Sequence, residues 1–390
     1  MKSWQMTAFA GIALVIWGIF NAYIGLRLVV PARLSGYWAN AAWSALVFSW
    51  LVFPAVFILR SVRPDFPGIH SMELAAYVVF GLVTILFPLL LVRDLGWVVA
   101  WVVRLLPSGP ARAEWLRVSG SAVFILSLAM FLGGLAEYAR GPLVDEVDLP
   151  IKNLARGLEG YRIVQLTDLH IGVTARADRI SRIVAQANGL NPDLVVFTGD
   201  LADGRARDFR DDAAPLSRLK ARDGKLFVTG NHEYFYDYRG WMAEIPRLGF
   251  RVLMNSHVRI RRGKGVLAIG GIPDTSTSPR FTPRQAADPV EAMRGIPEEA
   301  VKILLSHQPN SAPAGSAAGF DFQLSGHTHG GQYFPWNLVV PRMPFARPGL
   351  REVGDMILYV SRGTGAWGPP IRLFVPGEIT LFVLTRPKGG

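Results

Sequence analysis

Residues 162–203 read RIVQLTDLHIGVTARADRISRIVAQANGLNPDLVVFTGDLAD. Two runs in this stretch, Arg162–Leu166 and Leu194–Thr198, are almost continuously apolar, which is typical of strands that are buried on both faces. Between them, apolar residues recur at the spacing of an amphipathic helix: Ile180, Ile183, Val184 and Ala187. Arg179, Arg182 and Gln186 fall on the opposite face. The stretch therefore predicts a strand–helix–strand unit of an α/β domain.

Further β-rich runs alternate with turns along the back two-thirds of the chain. They are Leu226–Thr229, Val266–Ile269, Lys302–Leu305, Phe322–Leu324, Ile357–Val360 and Ile379–Leu384. We expect a linker and a first strand over residues 141–160, and one α/β domain over residues 161–390.

Polar side chains follow five of these runs directly. The ends are Thr167–His170, Gly199–Asp203, Gly230–Glu233, Ser306–Pro309 and Gly326–His329. Ligands of α/β sheets collect outside the carboxyl ends of the strands, so these residues are expected to converge. Five of the seven histidines lie in these ends; His70 and His257 lie elsewhere and are expected to be loop residues.

The donor types indicate a metal centre. Carboxylate, amide and imidazole groups suit Mn, Fe, Co or Zn, and the chain contains no cysteine that could add sulfur. There are too many donors for one ion and enough for two ions that share a carboxylate, an arrangement that hydrolyses phosphate esters. The alternative is that each Asp or His caps a turn, which would leave the clustered histidines unexplained.

The front third, residues 1–140, has a different composition. Four apolar segments without ionisable residues have close to the ~20 residues that cross a bilayer as a helix: Thr7–Leu26, Ala39–Leu59, Leu74–Val92 and Val118–Ala136. The stretch Leu95–Leu106 is shorter, carries Arg104 and predicts an interfacial helix. Buried helices of a soluble core are the alternative. We expect an integral membrane protein in contact with lipids. Its orientation stays open, because basic residues are equally frequent on both sides of the spans.

Composition and charge exclude several classes of protein. With 50% hydrophobic and 18% charged residues, the chain is neither disordered nor, without cysteine, a disulfide scaffold. The net charge of +11 suits anionic substrates, but no dense run of Lys and Arg predicts a nucleic-acid partner. The charge-free spans count against a proton-coupled transporter.

The ordered motifs Asp-x-His, Gly-Asp-x-x-Asp, Gly-Asn-His-Glu, a single His and Gly-His-x-His resemble the calcineurin-like metallophosphoesterases. Ser361–Gly365 and Pro369–Arg372 resemble their membrane-associated bacterial branch. The resemblance covers roughly residues 145–385 and leaves the apolar segments out. It implies a four-layered αββα sandwich with the site at the strand ends.

The resemblance also implies roles for the site residues. One divalent ion would bind Asp168, His170 and His329, and a second would bind Asn231, His307 and His327. Asp200 would bridge the two ions, and a bridging hydroxide would attack phosphorus. His232 would donate a proton to the leaving group, oriented by Asp203.

Further residues lie near these motifs, and most of them have two interpretations. Arg372 would meet substrate phosphate or form a surface ion pair. Arg205, together with Arg207 and Arg210, would form a basic rim for substrate or a solvated loop. Glu233 would fix its turn, and Trp367 would line the pocket or pack against it.

The leading hypothesis is a membrane-anchored, dinuclear-metal hydrolase of a phosphodiester or phosphomonoester. Its tether favours lipid-linked or envelope substrates, while a soluble nucleotide stays open. The alternatives are a membrane sensor or transporter with a regulatory phosphoesterase-like domain, and a scaffold that binds metal without turnover.

Overall fold

The computed structural model describes residues 3–63, 65–102, 110–275 and 286–387. The chain divides into two compact units. The helical unit comprises Met1–Ala136 together with Gly368–Leu373. We call Gly368–Leu373 the late segment; the predicted α/β domain, residues 161–390, had included it. The α/β unit comprises Glu137–Trp367 and Phe374–Gly390.

Long apolar helices form the helical unit. They are α1 (Ser3–Ile24), continued by a π-helical turn (Gly25–Val29) and the one-turn α2 (Val30–Ala32), then α3 (Gly36–Val62), α4 (Ile69–Val102) and α5 (Pro110–Arg140). Four stretches are long and apolar enough to cross a membrane: Gly11–Ala32, Gly36–Arg60, Ile69–Val102 and Arg112–Arg140. The first overlaps the predicted segment Thr7–Leu26, and the other three contain the remaining predicted segments.

The separate interfacial helix predicted for Leu95–Leu106 is wrong over its described part. Residues 95–102 continue α4 without a break, and residues 103–106 lie outside the described residues. Arg93 and Asp94, which separate the two predicted stretches, lie within α4, and the carboxylate of Asp94 is 2.5 Å from Nε of Arg27 and 2.5 Å from a guanidinium nitrogen of Arg93.

Two glycines of the helical unit leave room for the late segment. A Cβ at Gly81 would lie 3.0 Å from Pro369, and one at Gly134 would lie 3.1 Å from Ile371. The N–H of Arg372 donates to the carbonyl of Gly134 at 3.0 Å. The segment is thus packed on α4 and α5.

The α/β unit contains twelve described strands. They are β1 (Leu143–Pro150), β2 (Arg162–Leu166), β3 (Leu194–Thr198), β4 (Lys225–Val228), β5 (Phe250–Val252), β6 (Ser256–Arg262), β7 (Gly265–Gly271), β8 (Val301–Leu305), β9 (Phe322–Ser325), β10 (Gly349–Val353), β11 (Met356–Val360) and β12 (Glu378–Thr385). They form two six-stranded sheets, ordered β1-β12-β2-β3-β4-β5 and β10-β11-β9-β8-β7-β6.

The α/β unit also contains seven described α-helices. They are α6 (Ala177–Gly189), α7 (Ala206–Ala213), α8 (Asn231–Tyr236), α9 (Tyr238–Glu244), α10 (Pro289–Met293), α11 (Ala312–Ala317) and α12 (Trp336–Val339). One core joins the first sheet to α6, α7 and α9, a second lies between the sheets, and a third joins the second sheet to α10 and α11. The predicted αββα sandwich is confirmed.

Some local predictions are wrong. The predicted strands lie within two residues of the observed ones, but β5, β6 and β10 were missed. His257 lies in β6 rather than in a loop, and its Nδ1 is 3.0 Å from the carbonyl oxygen of Ala292. Arg179 is buried, because its guanidinium lies over the ring of Tyr138 and donates to the Tyr138 carbonyl at 2.6 Å.

Candidate metal centre

The polar strand ends converge because the strands that carry them are parallel neighbours. In the first sheet, β2, β3 and β4 are adjacent and parallel, and in the second sheet β8 and β9 are. Backbone hydrogen bonds join the ends, from the N–H of Asp168 to the Gly199 carbonyl and from the N–H of Gly326 to the His307 carbonyl, each at 3.0 Å. Both sheets thus contribute side chains to one centre.

A first group of possible ligands consists of Asp168, His170 and His329, whose ligand atoms all lie within 4.8 Å of one another. The Nε2 atoms of the two histidines are 3.0 Å apart. Nδ1 of His170 lies 2.7 Å from Oδ1 of Asp203, so a proton held there leaves its Nε2 free to bind a cation.

A second group consists of Asp200, His307 and His327. Nε2 of His307 lies 3.1 Å from each of three atoms: Oδ2 of Asp200, Nδ1 of His327 and Oδ1 of Asn231. Nδ1 of His307 is 2.7 Å from the Thr198 carbonyl, and a proton there directs the Nε2 lone pair inward.

Asp200 connects the two groups. The same oxygen, Oδ2, lies 3.1 Å from Nε2 of His307 and 3.9 Å from Nε2 of His170. Burial alone would raise the pKa of Asp200, but His232 and His307 lower it well below its usual range. Its carboxylate is therefore placed and charged to serve both groups.

His232 lies at the edge of this cluster. Its Nδ1 is 2.6 Å from Oδ1 of Asp203, and its Nε2 is 3.7 Å from Oδ2 of Asp200. Burial would lower the pKa of His232, yet Asp200 and Asp203 raise it to about 9. Oδ1 of Asp203 thus contacts two imidazoles, those of His170 and His232, a double role that the sequence did not reveal.

Glu233 holds the neighbouring loops. Its carboxylate accepts hydrogen bonds from the N–H groups of Asp200, Leu201 and Gly230 at 3.1, 2.7 and 2.6 Å. It fixes its own turn, as predicted, and also the turn that carries Asp200.

The three arginines of the predicted basic rim each lie beside a carboxylate. Arg205 lies in the α/β unit, where its Nε is 2.7 Å from Asp208, and Arg207 also lies near Asp208, at 3.6 Å. Arg210 is 3.9 Å from Asp211. Arg372 belongs to the helical unit and is 1% exposed, so its interpretation as a surface ion pair is wrong.

Comparisons with known proteins agree with this geometry. A family model described as calcineurin-like phosphoesterase matches residues 161–331. A transmembrane protein with a metallophosphoesterase domain from Bos taurus is 30% identical over 365 residues, which cover 88% of this chain and 82% of that protein. The chain belongs to the metallophosphoesterase family.

Two further relatives extend the comparison. A Danio rerio protein, also described as a transmembrane protein with a metallophosphoesterase domain, is 36% identical over 286 residues, or 70% of this chain. That match spans 65% of the Danio rerio protein, just under two thirds of its length. An uncharacterized metallophosphoesterase of Campylobacter jejuni is 28% identical over 387 residues, 97% of this chain and 99% of its own. With four apolar helices and relatives named as transmembrane, this metallophosphoesterase is a membrane protein.

Proposed function

We propose that this metallophosphoesterase is a membrane-anchored enzyme that hydrolyses a phosphodiester or phosphomonoester with two divalent metal ions. The observation that carries the proposal is the position of Asp200, which belongs to the second donor group and whose Oδ2 also lies 3.9 Å from Nε2 of His170 in the first. A single carboxylate between two sets of imidazoles is the arrangement that a two-ion site requires.

The donor set fits the proposed ions. One ion would be held by Asp168, His170 and His329, the other by Asn231, His307 and His327, with Asp200 common to both. Oxygen and imidazole donors without sulfur suit Mn, Fe, Co or Zn. When bound, such ions make water a stronger nucleophile and neutralise the charge of the phosphate.

The protein's own contribution centres on His232. With a proton on Nδ1 directed at Asp203, the imidazole presents Nε2 toward the side on which Asp200 lies. A proton on Nε2 would pass to the departing oxygen of the ester, which makes His232 the general acid of the proposed reaction. Asp203 orients that ring and also the ring of His170.

The proposed substrates are phosphate esters of the membrane, such as lipid head groups or lipid-linked phosphates, and the proposed location is the bacterial cytoplasmic membrane. The four apolar helices support a membrane substrate. The match to a bacterial relative over 97% of the chain supports the location.

The test uses the full chain in detergent, stripped of metal and resupplied with Mn, Fe, Co, Zn or Mg singly. Turnover of bis(p-nitrophenyl) phosphate and p-nitrophenyl phosphate is measured beside bound metal. We expect metal-dependent turnover that Asp200→Asn and His232→Ala abolish. The control is Asp211→Asn, a carboxylate whose side chain is 99% exposed, and it should be unchanged.

Two results would contradict the proposal. A folded, metal-loaded protein without turnover on either compound or on lipid phosphate esters would indicate the non-catalytic scaffold. Turnover that persists in Asp200→Asn would place the chemistry elsewhere.

A further inference from the structure

Three aromatic rings lie beside His232 in the α/β unit. Phe235 and Tyr236 follow it in α8 by three and four residues, a spacing that puts side chains on one helix face. Their ring centroids lie 5.7 and 5.6 Å from that of the imidazole. The ring of Trp367 lies 6.1 Å away at an interplanar angle of 86°. We name these three residues the aromatic clamp.

The clamp is held in place by hydrogen bonds around it. The N–H of Trp367 donates to Oε1 of Gln332 at 2.9 Å, and Nε2 of Gln332 donates to the Trp367 carbonyl at 3.1 Å. In α8, the ring of Tyr234 stacks on Tyr238 at 4.8 Å, and its hydroxyl lies 3.0 Å from Oγ1 of Thr229. These contacts hold the backbone of Trp367 and anchor α8, the helix that carries the other two clamp residues.

Two clamp rings are nevertheless turned to solvent. Phe235 is 68% exposed and Trp367 is 55% exposed. Large apolar side chains that stay exposed beside a cluster of buried polar groups are typical of a ligand-binding surface. Because the phosphate would bind at the metal centre, rings beside the general acid would contact the leaving group.

We infer that the aromatic clamp binds an apolar leaving group and that the substrate is a glycerolipid phosphate ester. The inference rests on the proposed function and adds the substrate class. Phe235, the more exposed of the two rings, offers apolar surface without a hydrogen-bonding group. Acyl chains need only apolar surface, and the apolar helices place this protein in the membrane that contains them.

The test compares substrates that differ only in their acyl chains. The pairs are glycerol 3-phosphate with dihexanoylphosphatidic acid, and glycerophosphocholine with dihexanoylphosphatidylcholine. The full chain carries Phe235→Ala, Trp367→Ala or the conservative Trp367→Phe. The matched control is Val290→Ala, an apolar side chain on α10 that is 65% exposed.

We expect the wild type to prefer the acylated member of at least one pair. Each alanine variant should lower kcat/KM for that member by about tenfold, the effect of losing one aromatic contact, and for its acyl-free partner by less than about twofold. Trp367→Phe should retain most of the preference, and Val290→Ala all of it. Metal content should stay unchanged in every variant.

A second readout needs no turnover. Calorimetric titration of the metal-loaded protein with hexylphosphonate and methylphosphonate should show tighter binding of the hexyl compound, and Phe235→Ala should reduce that difference.

Several outcomes would overturn the inference. If an alanine variant lowers kcat/KM equally for the acylated and the acyl-free member of a pair, the rings only support the fold. A larger loss with adenosine monophosphate than with the lipids would assign the clamp to a nucleobase. If bis(p-nitrophenyl) phosphate is hydrolysed but neither lipid pair is, the inference fails while the proposed function stands. If no ester is hydrolysed, the proposed function fails, and equal binding of the two phosphonates would overturn the clamp as well.

Discussion

Asp203→Asn tests whether one carboxylate oxygen orients two imidazoles. Oδ1 of Asp203 lies 2.7 Å from Nδ1 of His170 and 2.6 Å from Nδ1 of His232, and the residue is 6% exposed. Hydrogen bonds to a charged group contribute about 1.5–3 kcal/mol, against about 1 kcal/mol between neutral groups. Asparagine keeps the shape and removes the charge, which weakens each contact by about 1 kcal/mol.

The expected effect divides between the two histidines. At His170, partners behind a metal ligand typically change metal affinity by about 10- to 100-fold, so a metal titration of Asp203→Asn should shift by that factor. At His232, the loss of about 1 kcal/mol of orientation should lower kcat by about fivefold even at saturating metal.

The assay is a metal titration of the full chain, with bis(p-nitrophenyl) phosphate as substrate and thermal unfolding as the check on folding. Asp211→Asn is the control, because it makes the same chemical change at a fully exposed site. The reasoning is refuted if a folded Asp203→Asn protein keeps both its metal affinity and its saturated kcat within about twofold. A shift in metal affinity alone would show that Asp203 supports His170 and not His232.

Three further predictions concern the same chain. Asp200→Asn should remove at least one equivalent of bound metal and lower turnover by about 10³-fold or more, as metal analysis beside the assay would show; two retained equivalents would disprove the shared-carboxylate assignment. Gly199→Ala and Gly224→Ala both force alanine to a φ near +90°, which costs about 1–2 kcal/mol. Only the Cβ at position 199 would lie 2.5 Å from a backbone nitrogen. The free energy of unfolding of Gly199→Ala should therefore fall by a further ~1–3 kcal/mol, and equal decreases in the two variants would contradict this. In the helical unit, Gly134→Val should lower the unfolding temperature in detergent, because its Cβ would be crowded at 3.1 Å, whereas Gly133→Val, which has open space, should not.

The strands of the first sheet were predictable because burial on both faces leaves an unmistakable apolar run. The bounds of β2 and β3 agree to the residue. The clustering of histidines was predictable for the same reason. A polar residue directly after a buried parallel strand lies at the carboxyl end of that strand, where the ends of the neighbouring parallel strands also lie. Whether those side chains hold two ions stays a prediction.

Edge strands left a weaker signal. β6 reads SHVRIRR and alternates apolar with basic residues, and β10 reads GLREV. Both lie at the edges of the second sheet, where one face stays polar, and short alternation of this kind is also found in loops. The burial of Arg179 depends on Tyr138, which lies 41 residues earlier, and helical periodicity contains no information about such a contact.

The backbone at the metal centre is strained at several of the possible ligands. Asp168, His170, Asp200, His327 and His329 all have left-handed φ values, between 49° and 71°. This conformation costs a residue with a side chain about 1–2 kcal/mol. It persists only where the surroundings enforce it, here through the hydrogen bonds between neighbouring loops. Gly199, itself at φ 90°, leaves a neighbouring loop room to approach at van der Waals distance. The chain thus accepts backbone strain at five of the possible ligands, and that strain holds their side chains in one arrangement. The proposed metal site requires such a fixed arrangement, whereas a set of turn caps does not.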